Sequence, residues 1–204
     1  MHERCDEWMI TDDTIFALLT LVSILELNRV DRKDIARRMR EARVERIGPT
    51  TKRVLEEYEC NPDFIPTSGT TDGAAMRSPP IGLLFDDKED VIETSIRVAL
   101  VTHGTNIAIA GACAVACAVW ACLAGRDPIA EGIDGAREIE KRGCGSEHSG
   151  TLLSYLIERA VEMSAEYEYI DAIRFFGGGI ETREAVPCVF FMLAKHLSFE
   201  ECVS

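Results

Sequence analysis

Apolar positions recur at helical spacing through most of the chain, and Gly, Pro or Asn marks the breaks between runs. Ile15, Leu18, Leu19, Val22 and Leu25 form one such stripe, which predicts a helix starting near Asp12 or Asp13 with that stripe buried. A second helix is predicted over 31–46, with Asp31 and Asp34 as a capping pair and Ile35, Met39 and Ala42 as a thin buried edge. Gly48-Pro49 ends it and opens a short segment carrying Val54, Leu55 and Tyr58. Residues 61–80 lose the period and collect Pro62, Pro66, Gly69, Gly73, Pro79 and Pro80, so they read as a long ordered loop. Beyond them, helices are predicted over 90–101, from Thr105 to a stop at Gly125, and over 128–141, 149–163 and 182–196. Neither an internal repeat nor strand alternation interrupts this pattern. The expectation is an all-α, single-domain helical bundle over 1–204 with its active groups on the intervening loops.

Residues 107–123 form an uncharged stretch near the lower limit of roughly 17 to 25 residues for a membrane span. They are mainly Ala, Gly and Cys, which let neighbouring backbones approach closely, so a central helix surrounded by others is expected, and no membrane. At the other end of the chain, Ser198-Phe199-Glu200-Glu201 reads as a helix start, with Ser198 as N-cap and Glu201 at the reciprocal position. Only three residues follow it, too few for a stable helix, which suggests a terminus cut through an element.

The chain of 204 residues carries 35 acidic against 22 basic residues, a net charge of −13 that argues against a nucleic-acid partner and suits cation recruitment. The basic residues from Arg32 to Arg46 alternate with Asp34, Glu41 and Glu45, as on a solvated helix face. Eight cysteines are present. Cys113, Cys117 and Cys122 lie within one apolar helical stretch and no Cys-x-x-Cys pair occurs, so buried free thiols in a reducing compartment are expected rather than disulfides or zinc. Without a basic and then apolar leader, the expected location is cytoplasmic.

The densest candidate chemistry is Thr11-Asp12-Asp13-Thr14 at the predicted start of the first helix. One Asp suffices as a cap, and the helix dipole favours negative charge there. Two adjacent carboxylates with two flanking hydroxyls also supply the oxygen ligands that Mg2+ or Ca2+ prefers, so cap and hard-cation site both stand. Ser68-Gly69-Thr70-Thr71-Asp72-Gly73 offers hydroxyls, a carboxylate and glycines that let N–H groups converge on a ribose or phosphate, although turns share this composition. Arg77 neutralises a phosphate or pairs with a neighbouring Asp. His103, between two predicted helices, contacts a ligand or satisfies helix-end carbonyls. No Ser-His-Asp or Cys-His order stands out, so any catalysis is expected to use water positioned by metal and carboxylate.

Four separated segments, in order, resemble the ADP-ribosylglycohydrolases: residues 8–14, residues 68–80 ending in Gly-Ala-Ala-Met-Arg-Ser-Pro-Pro, Thr102-His103 before the Ala-rich helix, and Glu184-Ala185-Val186-Pro187. That resemblance implies an all-α protein that removes ADP-ribose from a modified protein or small molecule by hydrolysing an N- or O-glycosidic bond, using Mg2+ or Mn2+. It implies metal ligands at Thr11, Asp12 and Asp13, with Asp12 and Asp13 catalytic. Ser68, Gly69, Asp72, Gly73 and His103 are implied as substrate-binding. Family chains usually carry a Gly-Asp-containing helix before this acid pair and a Gly-Asp-x-Asp-Thr-type segment near the C-terminus, and Asp72 stands where a Gly-Asn-Gly pattern is common. The expectation is therefore a site truncated at both ends. Its activity is impaired unless a partner chain or second copy supplies the missing helices, and the alternative is a noncatalytic ADP-ribose-binding or protein-interaction module.

Overall fold

The computed structural model describes residues 10–44, 46–147 and 150–196. The helix start at Ser198, the first residue of the helix predicted over 149–163 and the first two residues of the resembling 8–14 segment lie outside them. Among the described residues there is no strand, only isolated bridges between Thr71 and Glu181 and between Thr105 and Ser146. The all-α expectation holds.

At the centre lies α5 (Asn106–Leu123), most of whose residues are buried. It packs against α4 (Lys88–Ala99), α6 (Pro128–Arg142), α7 (Leu153–Ser164) and α9 (Thr182–Ala194), so its apolar surface faces other helices. Gly132 and Gly135 lie where α6 crosses it. A Cβ on Gly135 would sit 2.8 Å from Cys117 Sγ, and one on Gly132 would sit 2.5 Å from Phe190 Cζ and 3.0 Å from the Ala114 carbonyl. Cys113 and Cys117 are buried free thiols, the latter pushed up to about 12 by burial. Cys122, expected inside, is exposed because it lies near the helix's outer end. A smaller apolar cluster of Ala160, Met163, Ala172, Phe176 and Phe191 joins α7, α8 (Tyr169–Phe176) and α9. The short α8 was not legible in the pattern; its start is held by the Glu168 N–H donating to Asp171 Oδ2 at 3.3 Å.

At the front, α1 (Asp12–Leu27) packs on α2 (Arg32–Glu41), followed by α3 (Pro49–Cys60). The face that α1 buries matches the predicted stripe only in part: Ile15 and Leu19 pack, half-buried, against the core. Phe16, Thr20, Ser23 and Ile24 point inward, whereas Leu18 is 51% and Leu25 62% exposed, and Val22 is exposed beside them. The inward face is partly polar because the Ser23 hydroxyl donates to Asp34 Oδ2 at 2.7 Å. Burial opposes ionisation of Asp34, but hydrogen bonds from Arg37, Ser23 and Arg38 outweigh it and hold the carboxyl at about 2. Asp31 caps α2 as expected, accepting from the Lys33 and Asp34 N–H groups. The helix nevertheless stops at Glu41 rather than Arg46, and Arg43 turns the chain at φ +49°. Short 3-10 turns at Asp72–Ala74 and Pro79–Leu83 order the long loop.

Gly132→Ala is expected to destabilise the fold by about 1–3 kcal/mol through overpacking against Phe190. Chemical denaturation should show the Gly132→Ala, Phe190→Leu double variant losing less than the sum of the two single changes.

Candidate functional site

The loop at 68–73 is stitched in place from two sides. The Gly104 N–H donates to the Ser68 carbonyl at 3.0 Å and the Thr105 hydroxyl to the Gly69 carbonyl at 2.5 Å. Opposite, the Asp72 N–H donates to the Ile180 carbonyl at 2.8 Å, and Thr182 donates its N–H to the Thr70 carbonyl and its hydroxyl to the Thr71 carbonyl, both at 2.9 Å. The glycine run before α9 is likewise anchored, because the Gly179 N–H donates to Glu184 Oε2 at 2.9 Å. It is therefore more than a loose connector.

In front of this loop is a cavity of about 740 Å3, within the usual range for small-molecule sites. Asp12 and Asp13 from the start of α1 and Asp72 and Gly73 from the loop line one part of it, with Thr71 and Ile180 beside them. Arg46 and Lys52 line it too, from the turn before α3 and from α3 itself. The sequence reading placed Arg46 on a solvated helix face and did not single out Lys52. The missing signal was the early end of α2, after which Val44, Arg46, Ile47 and Gly48 come to line the cavity.

The other proposed residues sit around this cavity rather than in its wall. Thr11 is exposed and its hydroxyl donates to Asp13 Oδ2 at 3.2 Å. Ser68 accepts from Arg53 Nη2 at 2.8 Å, and Gly69 takes a φ of +105°, a conformation that favours glycine. His103 is fully buried, so it does not border the cleft directly: it stands behind Thr71, with Nε2 2.8 Å from the Thr71 hydroxyl. The loop lies tightly on its ring, since a Cβ on Gly73 would come within 2.8 Å of His103 Cε1. Burial, with the nearby positive charges of Arg77 and Arg53, pulls His103 down to about 3, so the imidazole is neutral. Arg77 is also fully buried and forms no ion pair among the described residues. Its guanidinium donates to the carbonyls of Gly73 at 2.5 Å, Val98 at 3.4 Å and Ala99 at 3.5 Å, and to Thr102 Oγ1. It therefore neither reaches a phosphate nor pairs with an Asp.

The acids repel one another. Burial first, then the charge of Asp13, and further Asp12 and Glu181, push Asp72 up to about 6. Asp13 is raised too, by burial and then by Asp12, against the hydrogen bond from Thr11. Asp12 Oδ2 accepts from the Gly48 N–H at 3.3 Å. Hard oxygen donors under mutual repulsion suit a divalent cation such as Mg2+, and Asp12, Asp13 and Asp72 are the groups that could hold it. Among the described residues, however, no three His, Cys, Asp or Glu side chains converge closely enough to form a metal site by themselves. The three acids share a cavity without sharing one coordination sphere.

The sequence profile of the ADP-ribosylglycohydrolases matches residues 2–204. The chain belongs to the ADP-ribosylglycohydrolase family. It is also similar to an uncharacterized protein of Archaeoglobus fulgidus, 32% identical over 203 residues, which cover 96% of this chain and 63% of that relative. The chain thus spans under two thirds of the length of the relative it matches. The family match runs through Asp12, Asp13, Thr71, Asp72, Gly73 and Ile180, all of which line the cavity.

With a folded-state value near 6 against about 3.9 when unfolded, Asp72 retains a proton in the metal-free fold between those values. Its contribution to stability therefore falls as pH rises from about 4 to 6 and is lost above that. Asp72→Asn should match the parent in melting temperature near pH 4 and exceed it at pH 7, and parallel melting curves across this range would refute the assignment.

Proposed function

We propose that this chain forms the Asp12–Asp13 side of an ADP-ribosylglycohydrolase site, acting in metal-dependent hydrolysis of the N- or O-glycosidic bond between ADP-ribose and a protein or small molecule. The observation that carries this reading is the meeting of Asp12, Asp13 and Asp72 in one cavity with the pinned 68–73 loop. Asp12 and Asp13, with the adjoining Thr11, are the ligands for Mg2+ or Mn2+. A bound divalent ion would offset the acids' repulsion and polarise water at the anomeric carbon, where the transition state is oxocarbenium-like. The chain's own groups bind and orient the ligand. Gly73 offers close backbone approach, Thr71 a hydroxyl, and Arg46 and Lys52 positive charge for the diphosphate.

Full activity in this reading needs polypeptide equivalent to the part of the relative that these 204 residues do not span. Two observations support that clause. The acids do not close a cation site among the described residues, and α1 leaves Leu18, Val22 and Leu25 exposed as an apolar stripe running back from the cavity. A helix that carries apolar residues on its outer face as well is ordinarily covered there, and a further helical segment would cover it. The failure of three acids to converge also favours the second reading, a noncatalytic ADP-ribose-binding module.

Isothermal titration of the purified chain with ADP-ribose and magnesium, paired with a turnover assay on an ADP-ribosylated protein, separates these readings. ADP-ribose should bind, the Asp12→Asn, Asp13→Asn double variant should abolish the magnesium signal, and turnover should stay far below the roughly 1–1000 s−1 of ordinary enzymes. Turnover within that range would remove the requirement for further polypeptide. No ADP-ribose binding would overturn the whole reading.

A further inference from the structure

A continuous hydrogen-bonded chain runs from the buried guanidinium to the cavity. Arg77 Nη2 contacts Thr102 Oγ1, Thr102 Oγ1 is 2.7 Å from His103 Nδ1, His103 Nε2 is 2.8 Å from Thr71 Oγ1, and Thr71 Oγ1 is 3.1 Å from Thr50 Oγ1. Thr102 and His103 are fully buried, so water does not complete their hydrogen bonding. A guanidinium can only donate, and a neutral imidazole has one donor and one acceptor nitrogen.

These facts leave two proton arrangements. With the proton on Nδ1, Thr102 Oγ1 would accept from both Arg77 and His103, and its own hydrogen would have no acceptor, because these are the oxygen's only partners among the described residues. With the proton on Nε2, Thr102 accepts from Arg77 and donates to Nδ1, His103 donates to Thr71, and Thr71 donates to Thr50. The hydroxyl and imidazole hydrogens of Thr102, His103 and Thr71 then all have acceptors, as buried polar groups favour.

We propose that Arg77, Thr102 and His103 are positioning residues that set the direction of this chain, fixing His103 as the Nε2–H tautomer and leaving the Thr50 hydroxyl hydrogen free for a ligand oxygen. Thr50 is only partly buried; it is not itself one of the residues lining the cavity but lies in α3 between Pro49 and Thr51, which do line it. The opposite tautomer would reverse every hydroxyl and present a lone pair at Thr50 instead. Arg77 thereby makes the Thr50 hydroxyl, next to the lining residues, a hydrogen-bond donor suited to ribose hydroxyl or phosphate oxygens. The donor role rests on the ADP-ribose reading, whereas the tautomer does not.

The test uses the full chain with 15N-labelled histidine. Two-bond proton–nitrogen correlation, with the His103 signals assigned by their loss in His103→Gln, should show a protonated Nε2 and an unprotonated Nδ1 from pH 5 to pH 8. A protonated Nδ1 in the unmodified chain overturns the proposal. Arg77→Lys should keep the Nε2–H form and Arg77→Met should shift it toward a mixture. If Arg77→Met does not fold, the tautomer of the unmodified chain decides alone. Thr50→Val should weaken ADP-ribose binding about tenfold, the scale of one lost hydrogen bond, while Thr50→Ser restores it. Equal affinity of Thr50→Val and the parent overturns the donor role. A parent chain that binds no ADP-ribose while retaining the Nε2–H tautomer sinks the functional reading and leaves the relay standing.

Discussion

A guanidinium sealed from water, with no carboxylate beside it among the described residues, is the constraint around which this structure is arranged. Arg77 is held by the carbonyls of Gly73, Val98 and Ala99 and by the Thr102 hydroxyl. Val98 and Ala99 belong to the last turn of α4, where unpaired carbonyls and the helix dipole concentrate negative partial charge. A buried cation left unsatisfied is costly, so these contacts tie the 72–77 segment to the end of α4 and leave little freedom in the loop before it. Even so, desolvation lowers Arg77 to about 9, and its Nε has no partner among the described residues.

The cavity carries charge of both signs in its lining: Asp12, Asp13 and Asp72 repel one another, and Arg46 and Lys52 add positive charge. The same geometry explains why the acids alone are insufficient. They come from α1 and from the loop, two elements held by separate parts of the core, and neither supplies enough oxygens to surround an ion.

The breaks and long runs of the pattern were legible because they depend on local chemistry. Asp31 as a cap, Gly143 as a C-cap in the left-handed region and the Ala-rich run of α5 act within a few residues of themselves. Asp12 and Asp13 could be picked out as site candidates because two adjacent carboxylates exceed what a cap needs, whereas Asp72 and Gly73, whose composition turns share, stood out through the family resemblance. Arg46 and Lys52 could not, since an interleaved basic run looks the same whether it faces solvent or a cavity. The buried face of α1 was partly misjudged for a related reason. Apolar spacing is present on that helix, but the Ser23 to Asp34 hydrogen bond rotates a partly polar face inward.

Sequence alone thus determined the helical class, the main breaks and the residue types able to bind a cation or a sugar phosphate, because capping, periodicity and donor chemistry are local properties. Only the tertiary structure decided that His103 lies behind Thr71, that Arg77 meets carbonyls instead of an acid, and that Asp72 faces the acid pair. Those outcomes depend on which segments, dozens of residues apart in the chain, exclude water from one another, and burial of that kind is a property of the assembled core.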